Sequence, residues 1–158
     1  MNGQRIASWV ARIALAAGFL SAVADRFGLW GAPGAPNVAW GDWPHYLQAV
    51  ALLNGFAPKA LVPAIGVIAT AAESTIGILL LIGFRLRWTA YAATALLLGF
   101  GTAMSIALGI KAPLDYSVFA AAGAAFLLAA AQPVRTTRPA QQPANDAPLG
   151  LADHRVTG

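Results

Sequence analysis

The 158-residue chain contains no cysteine. Disulfides, thiol-disulfide exchange, Cys-ligated zinc or iron-sulfur clusters and c-type haem attachment are therefore excluded for this chain acting alone. Charge is scarce as well, at 10% Asp, Glu, Lys and Arg against roughly 25% in soluble domains. Six acidic residues and two histidines form no self-contained catalytic motif and no metal-ligand spacing. Ten basic residues raise the pI to about 10.1, but they are scattered rather than gathered into a basic patch interleaved with aromatics. That argues against a nucleic-acid partner.

What remains is apolar. Hydrophobic residues make up 58% of the chain and mean hydropathy is +0.64, which together predict an integral membrane protein with the lipid bilayer as its first partner. Four apolar stretches occupy most of the length: Ile6 to Ala24, Leu61 to Phe84, Trp88 to Ile110, and Tyr116 to Ala131. The fold class expected is all-α, a membrane-embedded four-helix bundle over residues 1–131. In the third stretch Ala92, Ala95, Gly99 and Thr102 recur at helical spacing, and Ala120 to Ala125 crowds the fourth with small residues; both read as close-packing surfaces. Between the first two stretches, Trp43, Tyr46, Leu47, Val50 and Leu53 form one apolar stripe, predicting a short helix in or on the outer interface that either covers the bundle mouth or forms a lid over a binding site. Residues 132–158, with four prolines among Gln, Ala, Thr and charged residues, read as a disordered cytoplasmic tail, and His154 within it as solvated.

Arginine placement predicts orientation. With the N-terminus cytoplasmic, Arg5, Arg85, Arg87, Arg135 and Arg138 lie inside, against Arg26, Lys59 and Lys111 outside; the positive-inside rule then puts both termini in the cytoplasm. Trp9, Trp30, Trp40, Trp43, Trp88 and Tyr91 fall near the interfaces, as an aromatic belt requires. A rival for the first stretch is a cleaved signal peptide, since Ala22-Val23-Ala24 precedes Asp25. Arg12 would interrupt its apolar region, so the segment is expected to be retained as a helix.

Glu73 sits mid-span, about 17 Å of helix from either end of its stretch, beyond the reach of snorkelling. An ionisable group at that depth usually faces the bundle interior and finds a partner. Gly66, Ala69, Thr70, Glu73 and Gly77 share one helix face, with Ile68, Ile78 and Ile82 opposite. On the first helix, Arg12 and Arg26 lie two heptads apart and can both face inward. Helical side chains lean toward their own N-terminus, so Arg26 leans into the membrane and Glu73 outward, which favours that pairing over Arg12. His45 in the loop and Asp115 at the start of the fourth span are expected to complete an outward-facing polar cluster. A purely structural pair, a ligand or quinone pocket, and proton or ion translocation are the roles left open for Glu73.

The arginine-bearing first helix with Gly18 and a basic residue at its outer end, the run Glu73-Ser74-Thr75-Ile76-Gly77-Ile78-Leu79-Leu80-Leu81-Ile82-Gly83 followed by Arg85, and the Asp at the fourth span resemble the DoxX family of small bacterial inner-membrane proteins. The resemblance covers about Arg5 to Ala131. Arg12, Glu73 and Asp115 match the family pattern, while Arg26 stands where a lysine is more familiar. The resemblance implies a multi-pass protein of the inner membrane associated with respiratory or sulfur redox chemistry or oxidative-stress complexes, with a quinone as the partner suggested in the thiosulfate-oxidising branch. The chain has no cysteine or cofactor-binding motif of its own, so no intrinsic cofactor is expected and any catalytic role would depend on a partner subunit or a bound quinone. Three classes of function follow: a membrane subunit or anchor for a soluble or membrane oxidoreductase subunit, a small transporter or channel working as a homo-oligomer, and a ligand-free scaffold.

Overall fold

A computed structural model of the chain describes residues 3–132. The expected tail, with Arg135, Arg138 and His154, lies outside the described residues. Within them the chain is all-helical: α1 (Gly3–Arg26), α2 (Trp43–Leu53), α3 (Val62–Ile82), α4 (Leu86–Leu108), α5 (Lys111–Asp115) and α6 (Val118–Ala130), with a 3-10 turn at Lys59–Leu61 leading into α3. The α1 segment, the Lys59–Ile82 segment and α4 are each long and apolar enough to cross a membrane. The fourth apolar stretch, Tyr116 to Ala131, is the shorter helix α6, which at 13 residues spans about 20 Å, and the one-turn α5 precedes it.

Local signals set the ends. Asp42 caps α2 by accepting from the His45 N–H, and Pro44 follows in its first turn, where a missing N–H costs nothing. At the other end of α3, Gly83 adopts φ 71°, and the Phe84 N–H reaches back to the Leu79 carbonyl, a left-handed closure that favours glycine.

Two helix pairs, α1 along α3 and α4 along α6, carry the most extensive packing, and α3 with α4 and α1 with α6 join them into a bundle. Its core is Leu15, Ala16 and Phe19 of α1, Ile76 and Leu80 of α3, Ala90 and Ala93 of α4, and Ala125, Leu128 and Ala129 of α6. Close approach depends on small residues: a Cβ on Gly77 would lie 2.9 Å from Leu20 Cγ, and one on Gly101 2.6 Å from the Phe119 ring. The stripe Ala92, Ala95, Gly99 and Thr102 does not pack within the bundle. All four residues are exposed, and Thr89, Ala90, Ala93, Thr94 and Gly101 are the buried ones. Ile6, Val10, Ile13, Ile68, Ile78, Ile82, Ile106 and Leu127 also point out and are about half exposed or more. An apolar surface of this kind suits lipid rather than water.

Register between α1 and α3 positions the site. Arg12 meets Leu80 and Leu81, Leu20 meets Gly77, and Arg26 meets Thr70 and Glu73. Because α1 ends at Arg26 beside Thr70 while α3 begins at Val62, α3 overreaches α1 by about 12 Å of helix. Into that step fold the 27–42 loop and α2, whose Tyr46 and Val50 form a second small core with Val62. The mouth-covering helix expected at Trp43 is this α2.

Candidate functional site

The step between α1 and α3 holds the most buried charge in the described residues. Arg26 is 3% exposed and Glu73 2%. The Arg26 Nη2 donates to both carboxylate oxygens of Glu73, at 2.6 and 2.7 Å, and Nη1 donates to Thr70 Oγ1 at 2.7 Å. Thr70 in turn donates to the Gly66 carbonyl at 2.8 Å. Spacing explains why one helix supplies all three partners, since Gly66, Thr70 and Glu73 occupy successive turns of one face.

Aromatic rings roof the pair. The guanidinium carbon lies 4.0 Å from the centre of the Tyr46 ring and 5.3 Å from that of Trp40, within the range at which a desolvated cation gains from a ring face. Asp25 anchors this roof: its Oδ2 accepts from the Ala39 and Trp40 N–H groups at 3.1 and 2.8 Å. Asp25 is itself 5% exposed, and its Oδ1, like Arg26 Nε, is buried with no partner among the described residues. Glu73 is thus the counter-ion of Arg26, while Asp25, its neighbour in sequence, spends its carboxylate on the loop backbone.

An open groove of roughly 440 Å³ runs beside the pair, lined by Phe27, Trp43, Val67, Thr70, Ala71 and Ser74. Phe27 and Trp43 stack across its upper edge with centroids 5.9 Å apart. Thr70 belongs to both groove and pair, so the groove ends one hydroxyl away from Arg26.

The other residues singled out by sequence lie elsewhere. Arg12 is buried, but its Nε and Nη2 donate to the Leu80 and Leu81 carbonyls at 2.9 and 2.8 Å, satisfying the free end of α3 with a cation where the helix dipole favours one. His45 does not join the polar cluster; it faces solvent at the start of α2, its ring 2.7 Å from Asp42. The backbone N–H of His45, then its side chain, hold the Asp42 carboxyl below its usual range. Asp115 is likewise no part of the cluster: it ends α5 rather than starting the fourth span and pairs with Lys111 one turn away on the surface. In both cases a partner three or four residues away forestalls a distant one. Asp25, Tyr46 and Trp40 are members that sequence reasoning missed. The one legible hint was Asp25 beside Arg26, and no spacing rule says where a loop returns.

Against this geometry, one family profile matches, that described as methylamine utilisation protein MauE, over residues 4–115. The match takes in α1 to α5 and every residue of the buried site. The chain belongs to the MauE family, small membrane proteins related to the DoxX-like ones; membership of the DoxX family itself, which the motifs resemble, is not shown. No curated protein and no solved structure matches the chain.

Proposed function

We propose that this chain is a membrane-embedded subunit of a redox system of the kind its family description names, methylamine utilisation, and that it anchors and positions an oxidoreductase partner. The observation that carries the reading is the family match over residues 4–115, which includes the whole buried site. The residues support an anchoring role over a self-contained catalyst. No cysteine is present, and no group of three His, Cys, Asp or Glu able to hold a metal ion occurs among the described residues. In its membrane the chain has both termini in the cytoplasm, a reading that rests on the arginine count and is tested by reporter fusions after Arg87 and after Asn37.

Co-purification tests the anchoring role. The tagged chain, extracted in mild detergent from cells of its host grown on methylamine, is expected to bring down an oxidoreductase subunit, and deletion of its gene to abolish growth on methylamine while sparing growth on succinate. A deletion strain that grows normally on methylamine overturns the proposal.

A second reading adds a ligand and rests on the groove. A membrane quinone could lay an apolar tail along Val67 and Ala71 and bring a carbonyl to the Thr70 hydroxyl. Redox difference spectra of the purified protein with and without added quinone test this, and an unchanged spectrum removes it. The transporter alternative draws less support, because between Arg12 and Glu73 the described residues form an apolar core of Leu15, Ala16, Phe19, Ile76 and Leu80.

A further inference from the structure

The end of the bundle opposite the buried site is uniformly basic. It carries Arg5, Arg12, Arg85 and Arg87, and no acidic residue among the described residues, since Asp25, Asp42 and Asp115 lie at the other end and Glu73 is bound to Arg26. Arg12 is committed to the α3 carbonyls. The side chains of Arg85 and Arg87, in the α3–α4 turn, give no hydrogen bond or ion pair to any described residue; Arg85 is exposed, whereas Arg87 is half-buried with its Nε enclosed.

Arg85 also holds an unfavourable backbone conformation, φ 41° and ψ 44°, in the left-handed region where a Cβ costs roughly 1–2 kcal/mol and glycine or asparagine is usual. A residue strained in this way points to a use for its side chain. Exposed Phe84 and Trp88, at 54% and 68%, flank the turn and mark the depth at which aromatic rings meet lipid headgroups. The guanidinium of Arg85 lies 5.8 Å from the Phe84 ring centre, and that of Arg87 5.9 Å from the Tyr91 ring centre.

We propose that the Arg85-Leu86-Arg87 turn is a binding site for the phosphate of a phospholipid of net negative charge. Guanidinium forks match phosphate oxygens in pairs. The exposed side chains of Ile82 and Trp88 give the acyl chains a surface beside the turn. Selectivity comes from the surrounding charge: a zwitterionic lipid brings an ammonium toward four arginines, whereas an anionic lipid brings only its phosphate. Nothing in this requires a particular orientation of the chain in the membrane.

Native mass spectrometry of the full-length protein, incubated in detergent with equal phosphatidylglycerol and phosphatidylethanolamine, tests the site. The expected result is preferential retention of phosphatidylglycerol, reduced about thirtyfold in Arg85→Gln/Arg87→Gln and about fivefold in Arg85→Gln alone, from the usual attraction of each basic residue to anionic lipid. Arg85→Lys/Arg87→Lys keeps the charge but not the forked donors and should retain the preference only in part, above that of the double Gln variant; a Lys variant no better than the Gln one overturns the role of charge. Lys59→Gln, at the far end, should keep all of it. The exposed single variant decides the matter if the double variant does not fold. Equal retention of the two lipids by the native protein, or undiminished preference in Arg85→Gln, overturns the proposal. Displacement of the lipid by millimolar inorganic phosphate also overturns it, assigning the turn to a free anion instead.

Discussion

Removing one member of the Arg26–Glu73 pair should cost far more than removing both. In Glu73→Leu, a guanidinium that is 3% exposed loses its counter-ion and keeps only Thr70 and the Tyr46 and Trp40 rings. Breaking a buried pair on one side typically costs about 3–5 kcal/mol. The ring contacts, worth about 1–2 kcal/mol when desolvated, remain in place and keep the expected loss near 3 kcal/mol. Glu73→Gln retains an oxygen to accept from Nη2 but not the charge, so its cost falls between Leu and wild type, at about 2 kcal/mol. Even a purely structural pair therefore makes Gln measurable. Arg26→Met/Glu73→Leu removes both charges from a site already lined by apolar and aromatic groups, and should lie within about 1 kcal/mol of wild type.

The assay is reversible unfolding in mixed detergent micelles, with helix content followed by circular dichroism, on the wild type, both single variants and the double. A 3 kcal/mol loss corresponds to a fall in Tm of about 6–12 °C for a chain of this size. The coupling energy expected from the cycle is about 3 kcal/mol or more, well above the roughly 0.5 kcal/mol within which independent sites add. Additive losses, with the double variant as unstable as the sum of the singles, would refute the reasoning.

Glycine contacts give a paired prediction: Gly77→Ala drives a Cβ to 2.9 Å from Leu20 Cγ and should lower stability by about 1–3 kcal/mol. Gly99→Ala meets nothing within 4 Å and should be neutral or gain up to about 1 kcal/mol in the same unfolding assay. Asp25→Ala takes the acceptor from the Ala39 and Trp40 N–H groups, and faster hydrogen exchange at those two amides, with α3 unchanged, is the expected readout. Asp42 is held below its usual carboxylate range chiefly by the His45 N–H, so its capping contribution is complete above that range and is lost as pH falls through the lowered value. The His45 amide shift should follow that titration, and Asp42→Asn should abolish it.

Helix periodicity carried much of this fold on its face. The small-residue face of α3 is the buried one, and the outward isoleucines Ile68, Ile78 and Ile82 are exposed, because a 3.6-residue period states which side chains share a side. The lean of side chains toward their own N-terminus favours Arg26 over Arg12 as the partner of Glu73, and those two are joined. What periodicity does not state is which side meets protein rather than lipid. For that reason Ala92, Ala95, Gly99 and Thr102 read as packing although α4 turns its other side, with Ala90, Ala93 and Gly101, to its neighbours. Loops are harder still: the position of Asp25 became informative only once the 39–40 backbone was seen to return to it, and His45 and Asp115 were claimed by neighbours within one turn.

The arrangement around Arg26 bears on how any ligand could reach it. Nη1 is bound to Thr70 and Nη2 to both oxygens of Glu73, Tyr46 covers one face, and Nε is buried. No donor faces open space, so a ligand must either stop at Thr70, where the groove ends, or wait for the roof to lift. Lifting it breaks the two bonds from Asp25 to Ala39 and Trp40 and draws the rings of Trp40 and Tyr46 off the cation, groups that belong to a loop and a short helix rather than to the spanning bundle. Such peripheral segments are where local opening is least costly. The Asp25 carboxylate, with one oxygen already unpartnered, would then lose both of its remaining donors. A structural pair needs none of this mobility, whereas a binding site needs all of it. Asp25, which tethers the roof and touches neither Thr70 nor Glu73 through any hydrogen bond, is therefore the residue at which the two roles part.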